Sequence, residues 1–262
     1  MAVWLLILVG WAIVAAMMAL LWAVQRTTGD AGIVDVGWAA GLGILAVLYA
    51  ALAGGAAPHR VLVAVVAGLW SARLATYVFV DRVRGKPEDG RYRTLRAKWG
   101  ANAQRNFFVF FEVQALLDVI LSVPFLVIAT NRSSALSGWE GTAVVLWLIA
   151  VGGEWLADRQ LARWRADPAN RGRTCRAGLW RYSRHPNYFF EWLHWWVYVI
   201  MAVGVGWWWF ATLVGPAVMS FFLFRVTGIP ATEAQALASR GDDYRDYQRT
   251  TSMFVPWFPK KG

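Results

Sequence analysis

The chain is a succession of long apolar runs separated by short polar or basic stretches. A bilayer core is ~30 Å thick and is crossed by ~20 predominantly apolar residues in a helix. Residues 2–24 form a charge-free run of that length. A secretory signal carries a basic segment ahead of a shorter apolar run, and no basic residue precedes this one, so it is predicted to be a true span. Further spans are predicted over residues 31–52, 61–80, 107–129, 141–157, 188–204 and 207–224. The last two are divided only by Gly204-Val205-Gly206, and six spans result if one of them is re-entrant. The pattern predicts an all-α integral membrane bundle of seven transmembrane helices.

Basic residues orient the bundle. Of the 26 lysines and arginines, 23 follow odd-numbered spans: two blocks at 82–105 and 159–184, then Arg26, Arg225 and a tail with Arg240, Arg245, Arg249, Lys260 and Lys261. Arg60 and Arg132 fall on the other side, and Arg73 lies within a span. Cytoplasmic loops hold the excess of Lys and Arg, which predicts the N-terminus outside, the C-terminus cytoplasmic and an odd number of spans. The net charge of +10 then follows from this asymmetry and from attraction to anionic membrane lipids. Nucleic acid is not expected as a partner. Composition agrees, with 58% hydrophobic and 16% charged residues. One cysteine, Cys175, excludes a disulfide framework, and three scattered histidines give no zinc set.

Ionisable residues inside a span cost ~2.5–3.5 kcal/mol and are functional candidates by default. Here they are Asp35, Arg73, Glu112, Asp118, Glu154 and Glu191. Pairing for packing is the plainer account of some, with Arg73 set against Asp118 or Glu112. Asp35 sits in a glycine-rich segment, Gly29 to Trp38, where backbone or ligand can approach closely. Gly37 and Gly41 equally form a small-residue packing motif. Tyr77 lies four residues after Arg73 on one helix face. It reads either as an interfacial anchor or as a proton donor to a substrate oxygen. Gly41-Leu42-Gly43-Ile44-Leu45-Ala46 matches the dinucleotide fingerprint by letter only, since no strand precedes it.

The densest chemistry runs from Glu154 to Trp195. Glu154 and Asp158 are one turn apart, and Arg163, Arg165, Arg171, Arg173 and Arg176 follow in a loop. Pro186 suits the first turn of a helix, which places Asn187, Glu191, His194 and Trp195 on one face of span six. Arginines take phosphate, and carboxylates and an amide take sugar hydroxyls or a carboxamide. A basic loop binding lipid headgroups explains the arginines but not the four polar residues at helical spacing.

Gly178 to Glu191, with Arg184-His185-Pro186-Asn187-Tyr188, resembles the membrane steroid 5α-reductase superfamily, most closely its bacterial branch. Tyr244-Arg245-Asp246-Tyr247, the tail Phe254 to Pro259, Glu88-Asp89-Gly90-Arg91-Tyr92 and Asp35-Val36-Gly37-Trp38 carry the same resemblance. The Arg-His-Pro-Asn element and tail also recur in sterol C14 reductases and isoprenylcysteine methyltransferases. The resemblance implies one transmembrane domain over residues 1–262, with helices 1–3 and the basic loop (1–105) on the substrate side. Helices 4–7 and their loops (106–262) would hold NADPH. It implies reduction of the 4,5 double bond of 3-oxo-Δ4 steroids or similar lipid enones. By matching motifs, Glu154, Asp158, Arg165, Asn187, Glu191 and Trp195 fall on cofactor positions, with Arg173, Tyr182 and His185 as looser matches. Tyr77 falls on the tyrosine that polarises the ketone, and Asp35 is the candidate acid beside it. His194 stands where animal members carry a second glutamate, and Glu233 lies near the place of their histidine-rich run. The implied substrate is an apolar steroid-like lipid entering from the bilayer of a bacterial inner membrane, with the cofactor side cytoplasmic and no obligate protein partner. The alternatives are an S-adenosylmethionine-dependent membrane methyltransferase and a non-catalytic lipid-binding bundle.

Overall fold

A computed structural model describes residues 1–226 and 228–260. Lys261, counted in the basic tail, lies outside the described residues. Among the described residues every regular element is helical. Six helical stretches are long and apolar enough to cross a membrane, and the last of them begins at Trp207. The chain contacts divide into two units, one of residues 1–137 with 202–214 and one of residues 138–201 with 215–262.

The first unit is built on α1 (Val3–Thr28), α2 (Ile33–Leu52), α3 (Ala57–Val78), α4 (Gly90–Trp99) and α5 (Ala103–Ala129). Helix α2 packs on α1, α3 and α5 at once, and its small residues are the reason. Gly37 faces Leu21 and Met18 of α1, Gly41 faces Asp118 of α5, and Gly43 faces Ser71 of α3. A Cβ at Gly41 would collide with the Asp118 carboxyl, and one at Gly43 with the Ser71 hydroxyl. The Ser71 hydroxyl donates to the Ala39 carbonyl at 2.6 Å, a contact that requires this close approach. Helices α1 and α2 are joined by a tight turn in which Gly29 takes a left-handed φ of 75°.

The second unit pairs α6 (Gly138–Ala166) with α7 (Pro186–Met201). Helix α7 begins at Pro186, as the proline predicts, and has 16 residues. The expected last span over 207–224 is not one regular α-helix. It consists of a 3-10 segment Trp207–Leu213, α8 (Val214–Phe221) and a π turn Phe222–Val226. Two short helices follow, α9 (Ile229–Arg240) and α10 (Asp242–Thr250). Leu223, Ile229 and Phe254 form a core with Tyr188, Phe189, Trp192 and Phe224 packed against it. The tail is fixed by backbone bonds, with the Trp257 amide donating to Tyr182 (2.9 Å) and the Arg184 amide to Ser252 (2.9 Å).

Candidate cofactor site

Spacing positions the polar residues of α6 and α7. Glu154 and Asp158 are one turn apart and are buried, at 5% and 8% exposure. Asn187, in the first turn of α7, donates its amide N–H to Asp158 Oδ1 at 3.3 Å. One turn on, Glu191 accepts from the Trp195 indole at 3.3 Å. Both are buried. His194 and the Tyr198 hydroxyl are 2.8 Å apart. The structure thus brings Asp158 to Asn187 and Glu191 to Trp195. Three carboxyl groups are almost dehydrated here, in a unit that also holds the arginine loop.

That loop and the end of α6 line a pocket of about 510 Å³. Arg165 and Arg173 both line it, together with Trp164, Arg171, Cys175 and Arg240. Asp167 Oδ1 turns the chain out of α6 by accepting the Ala169 amide at 2.9 Å, and Gly172 supplies a left-handed φ of 77°. Burial pushes the Cys175 thiol up, against the opposing influence of Arg165 and Arg240. The Trp164 indole N–H is buried and has no hydrogen-bond partner among the described residues.

Tyr182 and His185 lie elsewhere in this unit, where they hold the C-terminal segment. His185 Nε2 is 3.2 Å from Glu233 Oε1, and its ring stacks on Tyr188 at 5.4 Å. Tyr182 meets Phe258 edge to face at 6.0 Å. Glu233 is the hub, accepting also from Arg184 Nε (2.7 Å), the Gln248 amide (2.7 Å) and the Tyr244 hydroxyl (3.4 Å). The Tyr247 hydroxyl donates to the Trp180 and Ser183 carbonyls. Sequence reasoning met Glu233 only as a departure from a family pattern and passed over Gln248, Trp164 and the pocket role of Arg240. These residues meet partners far along the chain, and no short-range spacing announces them.

In the first unit, Asp35 sits in the first turn of α2. Its Oδ1 accepts from the Tyr92 hydroxyl at 2.7 Å and its Oδ2 from Arg91 at 3.0 Å. The two motifs 35–38 and 88–92 are therefore in contact. Glu88 secures the same turn, accepting the Ala31 amide at 2.9 Å and the Arg96 guanidinium at 2.7 Å. Tyr77 is half-buried near the end of α3, four residues after Arg73 as expected. Asp118, considered above as a partner for Arg73, is fully buried against Gly41, and neither of its oxygens has a hydrogen-bond partner among the described residues. That pairing is not formed.

Residues 21–251 match the family model described as protein of unknown function, DUF1295. The chain belongs to the DUF1295 family. No curated protein and no solved structure matches it. The DUF1295 segment runs from α1 into the chain after α10, and it contains every candidate residue named above, from Asp35 to Arg240.

Proposed function

We propose that this protein is an NADPH-dependent membrane reductase of the 4,5 double bond of 3-oxo-Δ4 steroids or similar lipid enones. One observation carries the reading: a single unit combines the buried carboxylate–amide set of α6 and α7 with an arginine-lined pocket at the end of α6. These residues fit a dinucleotide. Arg165 and Arg173 offer charge-assisted bonds to phosphate, and Glu154, Asp158, Asn187 and Glu191 offer partners for hydroxyls and a carboxamide. S-adenosylmethionine has no phosphate and leaves the arginines without a role. In this reading α7 is the sixth of seven spans, the N-terminus lies outside, and the basic loops face the cytoplasm of a bacterial inner membrane.

When bound, the nicotinamide supplies the hydride. The chain supplies binding and a proton donor. Negative charge develops on the carbonyl oxygen as the enone is reduced, and a donor aimed at that oxygen lowers the barrier by ~2.7–4 kcal/mol in well-studied sites. Tyr77 is that donor, since a phenol carries its proton at neutral pH. Asp35, at the same end of the helix pair as Tyr77, fixes the start of α2 to Arg91 and Tyr92. The apolar substrate enters from the bilayer.

Thermal stability of the purified protein in detergent tests the reading. NADPH raises the melting temperature more than NADH, and S-adenosylmethionine leaves it unchanged. Arg165→Ala or Arg173→Ala weakens NADPH more than NADH. Stabilisation by S-adenosylmethionine alone, or equal effects of the two nicotinamide cofactors, contradicts it.

A further inference from the structure

The C-terminal segment turns four large apolar side chains outward. Met253, Val255, Trp257 and Phe258 are exposed, the last two at 70% and 75%. The backbone beneath them is fixed beside the start of α7. The Arg184 amide donates to the Ser252 carbonyl at 2.9 Å, the Ser183 hydroxyl to the Phe254 carbonyl at 2.8 Å and the Trp257 amide to the Tyr182 carbonyl at 2.9 Å. Phe254, between two outward residues, points the other way. Its ring centre lies 5.7 Å from that of Phe189 and 5.0 Å from that of Phe224. With Phe254 packed in this core, the four outward side chains form a rigid apolar ridge.

Depth and charge point to what covers the ridge. Residues 182–184 come just before Pro186, where α7 begins, and the apolar run of that helix starts at residue 188. A ridge bonded to residues 182–184 therefore sits where the span leaves the hydrocarbon, the level at which tryptophan is enriched in membrane proteins. Three exposed cations border it. Arg181 precedes Tyr182, Arg225 follows Phe224, and Lys260 ends the described tail with its amide on the Thr250 carbonyl at 2.8 Å. Apolar and aromatic side chains rimmed by cations suit a surface of anionic lipid headgroups. A second copy of this chain laid on the ridge would set the same cations against each other, which disfavours it.

We propose that residues 253–258 dock on the anionic headgroup surface at the N-terminal end of α7, with Trp257 and Phe258 inserted and Arg181, Arg225 and Lys260 facing lipid phosphates. The proposal rests on the topology above, in which α7 is a span and its N-terminal end is cytoplasmic.

Spin labelling of the full-length protein in vesicles tests it. Cys175, the single cysteine, is buried, so a label reports on an introduced thiol. One label is placed by Val255→Cys and a comparison label by Asp242→Cys on α10, where the side chain is 94% exposed. In vesicles of phosphatidylcholine with phosphatidylglycerol, the label at position 255 collides more with lipid-dissolved oxygen than with a water-soluble nickel complex, and the label at position 242 does the opposite. The oxygen preference at 255 falls in phosphatidylcholine alone, and Arg225→Gln combined with Lys260→Gln removes most of that lipid dependence. A label at 255 as open to nickel as the one at 242 overturns the proposal. So does an oxygen preference indifferent to phosphatidylglycerol. Dipolar broadening between labels at a high lipid-to-protein ratio also overturns it, since it would mark a contact between two copies of the chain. Water exposure at 255 with a cytoplasmic C-terminal reporter defeats the proposal and leaves the topology standing. Lipid exposure at 255 with that reporter outside does the reverse.

Discussion

Glu191 gives up nearly all of its hydration on α7 and has the Trp195 indole as a local donor. Burying a carboxyl is costly unless hydrogen-bond partners offset its lost hydration. Hydrogen bonds to charged groups contribute ~1.5–3 kcal/mol, so Glu191→Ala weakens NADPH binding by about tenfold or more in a direct titration. Unchanged affinity in a folded variant assigns Glu191 to packing. Tyr77→Phe removes one hydroxyl and keeps the ring. It lowers enone turnover by ~10²-fold, the effect of losing one oxyanion donor, with cofactor affinity preserved. Tyr92→Phe is the comparison, because Tyr92 is the tyrosine bonded to Asp35; a larger loss there than in Tyr77→Phe contradicts the role given to Tyr77. The α6 and α7 residues were legible because helical spacing alone puts 154 with 158 and 187 with 191. Asp35 stood out as an ionisable residue in a predicted span, but its bonds to Tyr92 and Arg91 join residues more than fifty positions apart, which no local pattern encodes.

Helix ends were legible where a single residue sets them. Pro186 starts α7, whereas α1 runs to Thr28 and ends at Gly29, beyond the apolar run over 2–24 that announced it. The segment after Trp207 was not legible in detail, because apolar composition does not distinguish a 3-10 or π turn from an α-helix. Helix packing gives a sharper test. Gly41 leaves room for the Asp118 carboxyl, so Gly41→Ala overpacks the α2–α5 contact and destabilises by ~1–3 kcal/mol. Asp118→Ala combined with Gly41→Ala recovers part of that loss, and the non-additivity is read from melting temperatures of all four proteins. Strict additivity would show that the two residues do not touch. Docking of α10 depends on pH. Burial opposes ionisation of Asp243, but Thr174 and Arg176 outweigh it and hold the carboxyl below its ordinary value of 3.8. A carboxyl lowered in the folded state adds stability above its unfolded value, and that stability is lost as pH falls through the folded value. Asp243→Asn therefore speeds proteolysis of the C-terminal segment at neutral pH, and the two proteins converge only as pH falls through the folded value, which lies below 3.8. A difference that persists in acid contradicts the assignment.

For the whole molecule, charge asymmetry and apolar runs established a multi-pass helical protein, and six helical stretches have the length and composition to cross a membrane. In the proposed seven-span topology α7 is the remaining span. Its 16 residues rise ~1.5 Å each, less than a ~30 Å core, so a seventh crossing draws the flanking residues or a thinned bilayer into use. The proposed topology places a C-terminal reporter in the cytoplasm and an N-terminal one outside; both reporters on one side would give an even number of spans. The candidate site was legible as a constellation and not as a motif, since its carboxylates and arginines lie in one stretch of sequence while Glu233 reaches Arg184, and Arg240 the pocket, only through the fold. The most direct measurement of the central claim is product analysis after incubating the purified protein, in lipid, with NADPH and a 3-oxo-Δ4 steroid. The account predicts oxidation of NADPH matched one for one by a steroid saturated at the 4,5 bond, with the 3-oxo group retained. Unchanged steroid beside a bound and unoxidised cofactor, or a methylated product formed from S-adenosylmethionine, would contradict it.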